Sequence, residues 1–243
     1  MIVDAHMHIE HENPNLIYAE EREAGVDRAI IFSIWNPSRE SNDLTLNAYK
    51  MYPKFFIPWG HVRPSDSYWR DELDRIVKLG WKGLKLHFGE FGLPSADRTI
   101  SDLLASHIGD YLVESLNAIM EVAQEHNLVT LIDCMGRLDV MTKLVMIFTK
   151  APIIIAHLGS NYDLTKNFCE LAKMGHVYLD CSNRHLYRII KEAVKMAGAD
   201  KIIWGSDGWW QHPAAEIMMV KVLKLPKEEE EKVLGGNIMR LLE

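Results

Sequence analysis

The chain has 243 residues, of which 48% are hydrophobic and 25% are charged, which is ordinary globular composition. Its formal net charge of −7 argues against nucleic-acid binding, and three scattered cysteines are too few for a disulfide framework. With no apolar run long enough to span a membrane and no signal-peptide pattern, we expect a cytoplasmic protein.

Short apolar runs alternate with amphipathic segments along the chain, and no linker or low-complexity segment divides it. The apolar runs lie at residues 2–9, 28–35, 55–62, 82–88, 128–134, 152–157, 177–181 and 201–207. The predicted helices lie at residues 15–25, 42–52, 68–79, 108–126, 139–149, 164–174, 186–197, 214–223 and 227–242, with a longer loop at 89–106. Eight such pairs predict one α/β domain over residues 1–243, a (β/α)8 barrel. A doubly wound open sheet is the alternative, but no glycine-rich phosphate turn follows any strand.

Three polar residues occupy alternate positions in the first run: Asp4, His6 and His8. Side chains on a strand alternate between its two faces, so these three are predicted to share one face. Two imidazoles side by side on a strand can donate two nitrogens to one metal ion. The alternative is two histidines hydrogen-bonded to backbone, but burying three polar groups costs several kcal/mol unless they are paired or bind an ion.

The other apolar runs carry their polar residues at their carboxyl ends, where the active site of such a barrel lies. These residues are Lys85, His87, Asp133, His157, Asp180 and Asp207. Any one of them could be a hydrogen-bonded core group or a helix cap. Together they place many ionisable groups at one end of the barrel, and a divalent cation would supply the positive charge that they need.

Six short motifs follow one another in a familiar order: DAHMH at 4–8, KGLKLH at 82–87, IAHLG at 155–159, VYLDCS at 177–182, GSD at 205–207 and GNIMRLL at 236–242. On these motifs the chain resembles the amidohydrolase superfamily. Within it, the chain is similar to the amidohydrolase-related branch, which includes aminocarboxymuconate-semialdehyde decarboxylase. The resemblance extends from the first strand to the last helix.

The resemblance implies a metal site formed by the two histidines of strand one, a histidine of strand five and the aspartate of strand eight, with a strand-six histidine beside the substrate. On this chain it makes His6, His8 and Asp207 ligands, and His157 a catalytic residue or a further ligand. Asp133 stands at the strand-five position, and a carboxylate can also bind zinc. Alternatively, His87 or His157 takes that place, or two ions bind. Zinc is the first expectation, with manganese, iron or nickel as alternatives.

The resemblance also implies an enzyme that acts on a small molecule. A hydrolase would use metal-activated water on an amide, lactone or ester, with Asp207 as the general base and His157 polarising the carbonyl. The same residues could instead decarboxylate a small aromatic or unsaturated acid. A third hypothesis, kept open by Asp133, is a catalytically inactive barrel that serves as a binding protein.

Residues that follow the strand ends are expected to contact the substrate. They are Lys85, His87, Trp35, Arg137, Arg184 and Trp209. Aromatic and guanidinium groups suit a small ring or an unsaturated acid, although each could instead pack beneath a loop or pair with a helix carboxylate. Lys85 is expected to pair with Asp133 or the substrate. A homo-oligomer is left open.

Overall fold

Parallel strands alternate with helices in the computed structural model, which describes residues 1–10, 13–91 and 108–243. The strands are β1 (Val3–His8), β2 (Arg28–Phe32), β3 (Phe56–Pro58), β4 (Gly60–His61), β5 (Gly83–His87), β6 (Val129–Asp133), β7 (Ile153–Ile155), β8 (Val177–Asp180) and β9 (Ile202–Ile203). The helices are α1 (Pro14–Glu23), α2 (Ser38–Met51), α3 (Trp69–Lys78), α4 (Ile108–Glu125), α5 (Leu138–Ile147), α6 (Thr165–Ala172), α7 (Tyr187–Ala197), α8 (Pro213–Lys221), α9 (Lys227–Glu231) and α10 (Asn237–Leu242).

All strand ladders are parallel, and the third predicted strand is divided between two of them. β3 pairs with β2 and β4 pairs with β5, and Trp59 alone separates β3 from β4. Pro58, which has no amide hydrogen to donate, marks this irregularity. The amide of Trp59 still donates to Ile31 O at 3.0 Å, so the chain continues the sheet between β2 and β5.

The junction between the last and first strands closes a (β/α)8 barrel, as predicted. Ala5 N donates to Trp204 O at 3.3 Å and Asp207 N donates to His6 O at 2.7 Å. A parallel bridge between Met7 and Gly208 extends this contact. The residues after β9 are thereby fixed beside the end of β1.

Apolar side chains fill both sides of the strands, which explains the nearly continuous Ile, Val and Leu runs. One cluster lies inside the barrel and includes Val3, Ile30, Leu131 and Ile154. The larger cluster lies between the strands and the helices. Ile238 of α10 joins the inner cluster, so the terminal helix takes part in closing the barrel interior.

A bulge in β1 corrects the predicted face pattern. Asp4 pairs with Ala29 and Met7 with Ile31, so two residues of β1, Ala5 and His6, stand opposite Ile30 alone. An extra residue reverses the alternation beyond it. His6 and His8 therefore point inward, whereas Asp4 lies on the outer side, and the prediction that the three share one face is wrong.

The predicted helix over residues 227–242 is also interrupted. A π-helical turn, Lys232–Gly236, separates α9 from α10. A Cβ at Gly235 would lie 2.7 Å from Met1 O, so the backbone of the first strand approaches too closely for a side chain there. Of the predicted loop at 89–106, most lies outside the described residues. Among the described helices, none is both long and apolar enough to cross a membrane.

Candidate functional site

A cavity of about 240 Å³ opens at the carboxyl ends of the strands. It is lined by His8, Ile34, Trp35, Lys85, His87, Asp133, His157, Asn183, Asp207 and Trp210. The first, fourth, fifth, sixth and eighth predicted strand ends thus all contribute side chains to one space. This is the end of the barrel at which catalytic residues of this fold collect.

The two histidines of β1 are oriented by buried carboxylates. His6 Nδ1 lies 2.8 Å from Asp180 Oδ2, and His8 Nδ1 lies 3.1 Å from Glu10 Oε1. Glu10 Oε1 also accepts from the amide of Ile34 at 2.7 Å. Because an ionised carboxylate only accepts, each Nδ1 carries the hydrogen, and each Nε2 is directed away from its partner. Metal-binding histidines have this same arrangement.

One carboxylate oxygen of Asp207 contacts the imidazoles of both His6 and His8. Its Oδ1 lies 3.2 Å from His6 Nε2 and 3.3 Å from His8 Nε2. The outward-facing Asp4 supports this approach, because its Oδ1 accepts from the amides of His6 at 2.8 Å and Ser206 at 3.0 Å. Gly205 is required here, since its Cβ would lie 2.5 Å from His6 Cβ.

These three donor atoms fit a divalent cation. Four ligands at about 2.0–2.1 Å from zinc place neighbouring donor atoms about 3.3 Å apart, close to the distances from Asp207 Oδ1 to the two Nε2 atoms. All three donor atoms lie within 4.8 Å of one another. All three residues are buried. Nζ of Lys85 lies 2.9 Å from His6 Nε2, so this nitrogen acts as an acceptor, and a bound cation would have to displace Lys85 from it. The expected pairing of Lys85 with Asp133 is absent from the described contacts.

A second group of atoms close enough to share an ion comprises His6, His157 and Asp180. Asp180 Oδ2 already accepts hydrogen bonds from His6 Nδ1 and from Ser182 Oγ, at 2.8 and 2.6 Å. We therefore assign Asp180 to orienting His6, and we take His6, His8 and Asp207 as the candidate metal ligands.

The charges of these groups agree with this assignment. Burial disfavours an ionised Asp207, but His6, His8 and His157 outweigh it and hold the pKa of Asp207 well below its usual range. Burial and the Lys85 ammonium lower the pKa of His6 to about 4. Burial would also lower the pKa of His8, but Asp207 and Glu10 raise it above its ordinary value. A cation would displace the proton that His8 attracts.

Asp133 faces the same cavity from the opposite side, outside both candidate ligand groups. Its Oδ1 accepts from Met135 N at 2.9 Å and Ser160 Oγ at 3.0 Å. Its Oδ2 lies 3.5 Å from His87 Nε2 and 3.7 Å from His157 Nε2. Burial opposes its ionisation, but His157, Lys85 and His87 hold the pKa of Asp133 below its usual range. The role of Asp133 as a metal ligand remains a prediction.

His157 follows β7 in a left-handed conformation, with φ at 53°, in a turn where Leu158, Gly159 and Ser160 also have positive φ. Such strain in non-glycine residues is typical of functional sites. Its Nδ1 lies 3.2 Å from the carbonyl oxygen of Ser182, so Nδ1 carries the hydrogen. Its ring stacks on that of His6 at 4.9 Å between centroids.

The residues predicted to bind substrate separate into two sets. Lys85, His87 and Trp35 line the cavity, and Trp35 lies 5.9 Å from the ring of Trp210. Trp209, Arg137 and Arg184 are not among the lining residues. Arg137 pairs with Asp139 at 2.8 Å. Their roles as substrate contacts stay predictions.

Arg184 is unusual because its buried guanidinium has no carboxylate partner within the part of the chain that the structure describes. It is 5% exposed, lies 4.0 Å above the ring of Tyr162, and its Nε and Nη2 have no hydrogen-bond partner. Burial lowers the pKa of Arg184 from its ordinary value. A buried guanidinium in this state is suited to binding an anion.

Sequence reasoning missed Glu10 and Asn183. Glu10 occupies the next alternate position after His6 and His8, so the pattern of the first run contains a signal for it. Asn183 follows Ser182 just beyond β8, and its Nδ2 donates to Asp207 Oδ2 at 2.7 Å. Only the three-dimensional structure shows that contact.

Comparison with known proteins identifies the family. The amidohydrolase family model matches residues 3–243. The chain belongs to the amidohydrolase family. No curated protein sequence matches this amidohydrolase-family chain significantly.

Solved structures share its fold at low sequence identity. A dihydroxybenzoic acid decarboxylase from Polaromonas sp. JS666, with bound manganese and 2-nitroresorcinol, has a TM-score of 0.75, 14% identity and coverage of 99% of this chain and 96% of that one. For 5-carboxyvanillate decarboxylase from Sphingomonas paucimobilis, the TM-score is 0.69, with 14% identity and coverage of 99% and 98%. A probable 2-pyrone-4,6-dicarboxylic acid hydrolase from Acinetobacter baumannii, with bound citric acid, has a TM-score of 0.71, 16% identity and coverage of 99% and 98%.

Replacement of Glu10 tests how the amidohydrolase site orients His8. Glu10→Gln preserves the shape of the side chain but removes its charge from His8 Nδ1. Loss of such a partner typically weakens metal binding 10- to 100-fold, and we expect that range here. Titration of the metal-free protein with Zn²⁺ measures it, with the exposed Glu23→Gln as the control. Equal affinities in both variants would contradict the role of Glu10.

Glu216 on α8 gives a pH-dependent prediction. Burial and the nearby Asp180, Asp207 and Asp4 raise the pKa of Glu216 from its ordinary value to about 7. The folded protein thus holds this proton more tightly than the unfolded chain does. The free energy of unfolding that this adds at low pH is lost as the pH rises through about 7.

The expected result is that Glu216→Gln raises the melting temperature relative to wild type more at pH 8 than at pH 5. Both proteins are measured by thermal denaturation with a chelator present, and the exposed Glu23→Gln serves as the control. An identical difference at the two pH values would show that Glu216 does not titrate in this range.

Proposed function

We propose that this protein is a metal-dependent hydrolase of a small ring-containing or unsaturated carboxylic acid derivative, cleaving a lactone, ester or amide. The observation that carries the proposal is the set of three buried donor atoms on His6, His8 and Asp207 beside the cavity. Three protein ligands with a further position left for substrate or water are typical of catalytic zinc sites, and closed sets of four are typical of structural ones. Zinc is the first choice, with manganese, iron or nickel as alternatives.

A bound divalent cation would supply Lewis-acid polarisation of a substrate carbonyl and of a water molecule. The protein supplies the proton transfers. Asp133 Oδ2 faces the cavity between His87 and His157 and accepts no described hydrogen bond, so it is available to take a proton from water. His157, with its Nδ1 bound to Ser182 O, presents Nε2 to the same space at 3.7 Å from Asp133 Oδ2, so it can receive that proton from Asp133 and pass it to the leaving group.

Asp207 is less suited to be the general base than sequence reasoning suggests. Its Oδ1 faces His6 and His8, and its Oδ2 accepts from Asn183. Both oxygens are therefore engaged, and we assign proton transfer to Asp133 and His157.

The cavity walls support the proposed substrate class. Trp35 and Trp210 offer flat apolar surfaces on which a small ring can stack. The ammonium of Lys85 lines the same space and can attract a carboxylate. Arg184 does not line the cavity, but it follows the lining residue Asn183, and its guanidinium, whose Nε and Nη2 have no hydrogen-bond partner among the described residues, offers a second positive charge close to the substrate.

Decarboxylation is the second candidate, because the cavity contains a buried ammonium together with an imidazole. Lys85 could hold a carboxylated substrate while His157 delivers a proton to carbon as carbon dioxide leaves. The names of the solved decarboxylases with this fold describe carboxylated aromatic rings as their substrates. The two tryptophans of this cavity suit the same class of substrate.

Product analysis distinguishes the hypotheses. Purified protein is loaded with Zn²⁺ or Mn²⁺, its metal content is measured, and it is incubated with lactones, esters, amides and aromatic acids. We expect one or more equivalents of cation and cleavage of a lactone, ester or amide that chelation abolishes. Release of carbon dioxide would instead support decarboxylation and contradict hydrolysis.

The matched variants His8→Ala and His126→Ala test whether activity belongs to this site. His126 is exposed at the end of α4, and its replacement should leave turnover unchanged. His8→Ala should abolish turnover. A protein that takes up no cation, together with no effect of His8→Ala, would support the inactive binding barrel instead.

A further inference from the structure

Asn183 has a backbone conformation that few side chains adopt. It follows Ser182 after β8 with φ at 53°, and it lines the cavity. Asparagine is one of the few residues with a side chain that tolerates the left-handed region. Asn127 has the same conformation, with φ at 51°, yet it is exposed at the end of α4, far in the chain from any ligand. The conformation alone therefore does not explain why Asn183 faces the site.

Three residues of the stretch 207–216 fix the orientation of Asn183. Its side-chain Nδ2 donates to Asp207 Oδ2 at 2.7 Å. Its Oδ1 accepts from Gln211 Nε2 at 3.3 Å, and its backbone amide donates to Glu216 Oε2 at 3.2 Å. Because Asp207 is ionised, the amide nitrogen must be the group that faces it.

This contact divides the two oxygens of Asp207 between different partners. Oδ2 is held by the amide of Asn183, whereas Oδ1 lies 3.2 Å from His6 Nε2 and 3.3 Å from His8 Nε2. A carboxylate without such a partner can rotate and bind a cation through both oxygens. The amide opposes that rotation.

We propose that Asn183 is a positioning residue that makes Asp207 a one-oxygen ligand and so keeps a coordination position free for substrate. This inference rests on the proposed metal centre. Asn183 acts through Asp207, with its own orientation set by Gln211 and Glu216.

The test is Asn183→Gly, which retains the left-handed backbone and removes only the side-chain amide. Metal-free protein is titrated with Co²⁺, without substrate, and the affinity and visible absorption spectrum are recorded. We expect 10- to 100-fold weaker binding. We also expect weaker visible absorption, because Co²⁺ absorbs less as its coordination number rises and Asp207 is then free to bind through both oxygens. Asn127→Gly makes the same chemical change at the same backbone conformation and should bind Co²⁺ as wild type does.

A second variant keeps the proposal falsifiable if Asn183→Gly does not fold. Asn183→Asp preserves size and backbone tolerance but turns the donor into an acceptor facing Asp207 Oδ2, and it should alter the Co²⁺ spectrum as well. Wild-type affinity and spectrum in either folded variant would overturn the inference while leaving the metal centre intact. Failure of wild-type protein to bind Co²⁺ would overturn both.

Discussion

Asp207→Asn is expected to abolish turnover and remove most cation binding. The substitution retains size but takes away the only carboxylate in the candidate ligand set, at the atom that lies between His6 Nε2 and His8 Nε2. Lewis-acid stabilisation by a bound cation is worth several kcal/mol, and about 4 kcal/mol corresponds to a loss of about 10³-fold in rate. Metal content after dialysis and turnover of the substrate found by screening measure the two effects.

The control for this variant is Asp163→Asn, an exposed position before α6. It makes the same chemical change without touching the site and should behave as wild type. If Asp207→Asn retained one equivalent of cation and more than a tenth of wild-type turnover, Asp207 would not be a ligand and the proposed centre would be wrong.

Gly205→Ala is expected to destabilise the protein by about 3 kcal/mol, because it overpacks a buried junction. The added methyl would lie 2.5 Å from His6 Cβ and 2.9 Å from the backbone nitrogen of His6. Backbone cannot move aside as a flexible side chain can. The strand that carries His6 and the segment that carries Asp207 must therefore separate, so cation affinity should fall together with stability. Chemical denaturation gives the free energy of unfolding, and Co²⁺ titration of the folded fraction gives the affinity.

Gly175→Ala is the matched control, since a Cβ there meets nothing within 4 Å. It should be neutral or slightly stabilising. A Gly205→Ala protein with wild-type stability and affinity would mean that β1 and residue 205 do not pack as closely as the structure has them.

The sequence was sufficient to predict the strand and helix order, because burial on both faces produces continuous apolar runs separated by amphipathic helices. Because parallel strands in a barrel bring their carboxyl ends to one rim, it also placed His6, His8 and Asp207 at that rim with the other polar strand-end residues, and the resemblance to the amidohydrolase superfamily made these three ligands. The bulge at Ala5 and His6 could not be predicted, because period-two alternation cannot show where one extra residue is inserted. That insertion is why Asp4 faces away from the two histidines.

Contacts between residues far apart in the chain could not be predicted either. Asp180 was interpreted as a hydrogen-bonded core group or a helix cap, and the sequence did not show that its carboxylate orients His6 across the barrel. Lys85 was expected to pair with Asp133 or the substrate, and the sequence did not show that its Nζ lies 2.9 Å from His6 Nε2. The break before α10 depends on how closely Gly235 approaches Met1 and Val3. Each of these contacts joins residues far apart in the chain, and local patterns contain no information on them.

The most direct measurement is anomalous diffraction from a crystal of the protein loaded with Zn²⁺ or Mn²⁺. We expect one strong peak at the carboxyl end of the barrel, within about 2.0–2.3 Å of His6 Nε2, His8 Nε2 and Asp207 Oδ1. A peak at other residues would contradict the claim that these three residues hold one cation. So would the absence of a peak from a protein that binds a full equivalent of metal in solution.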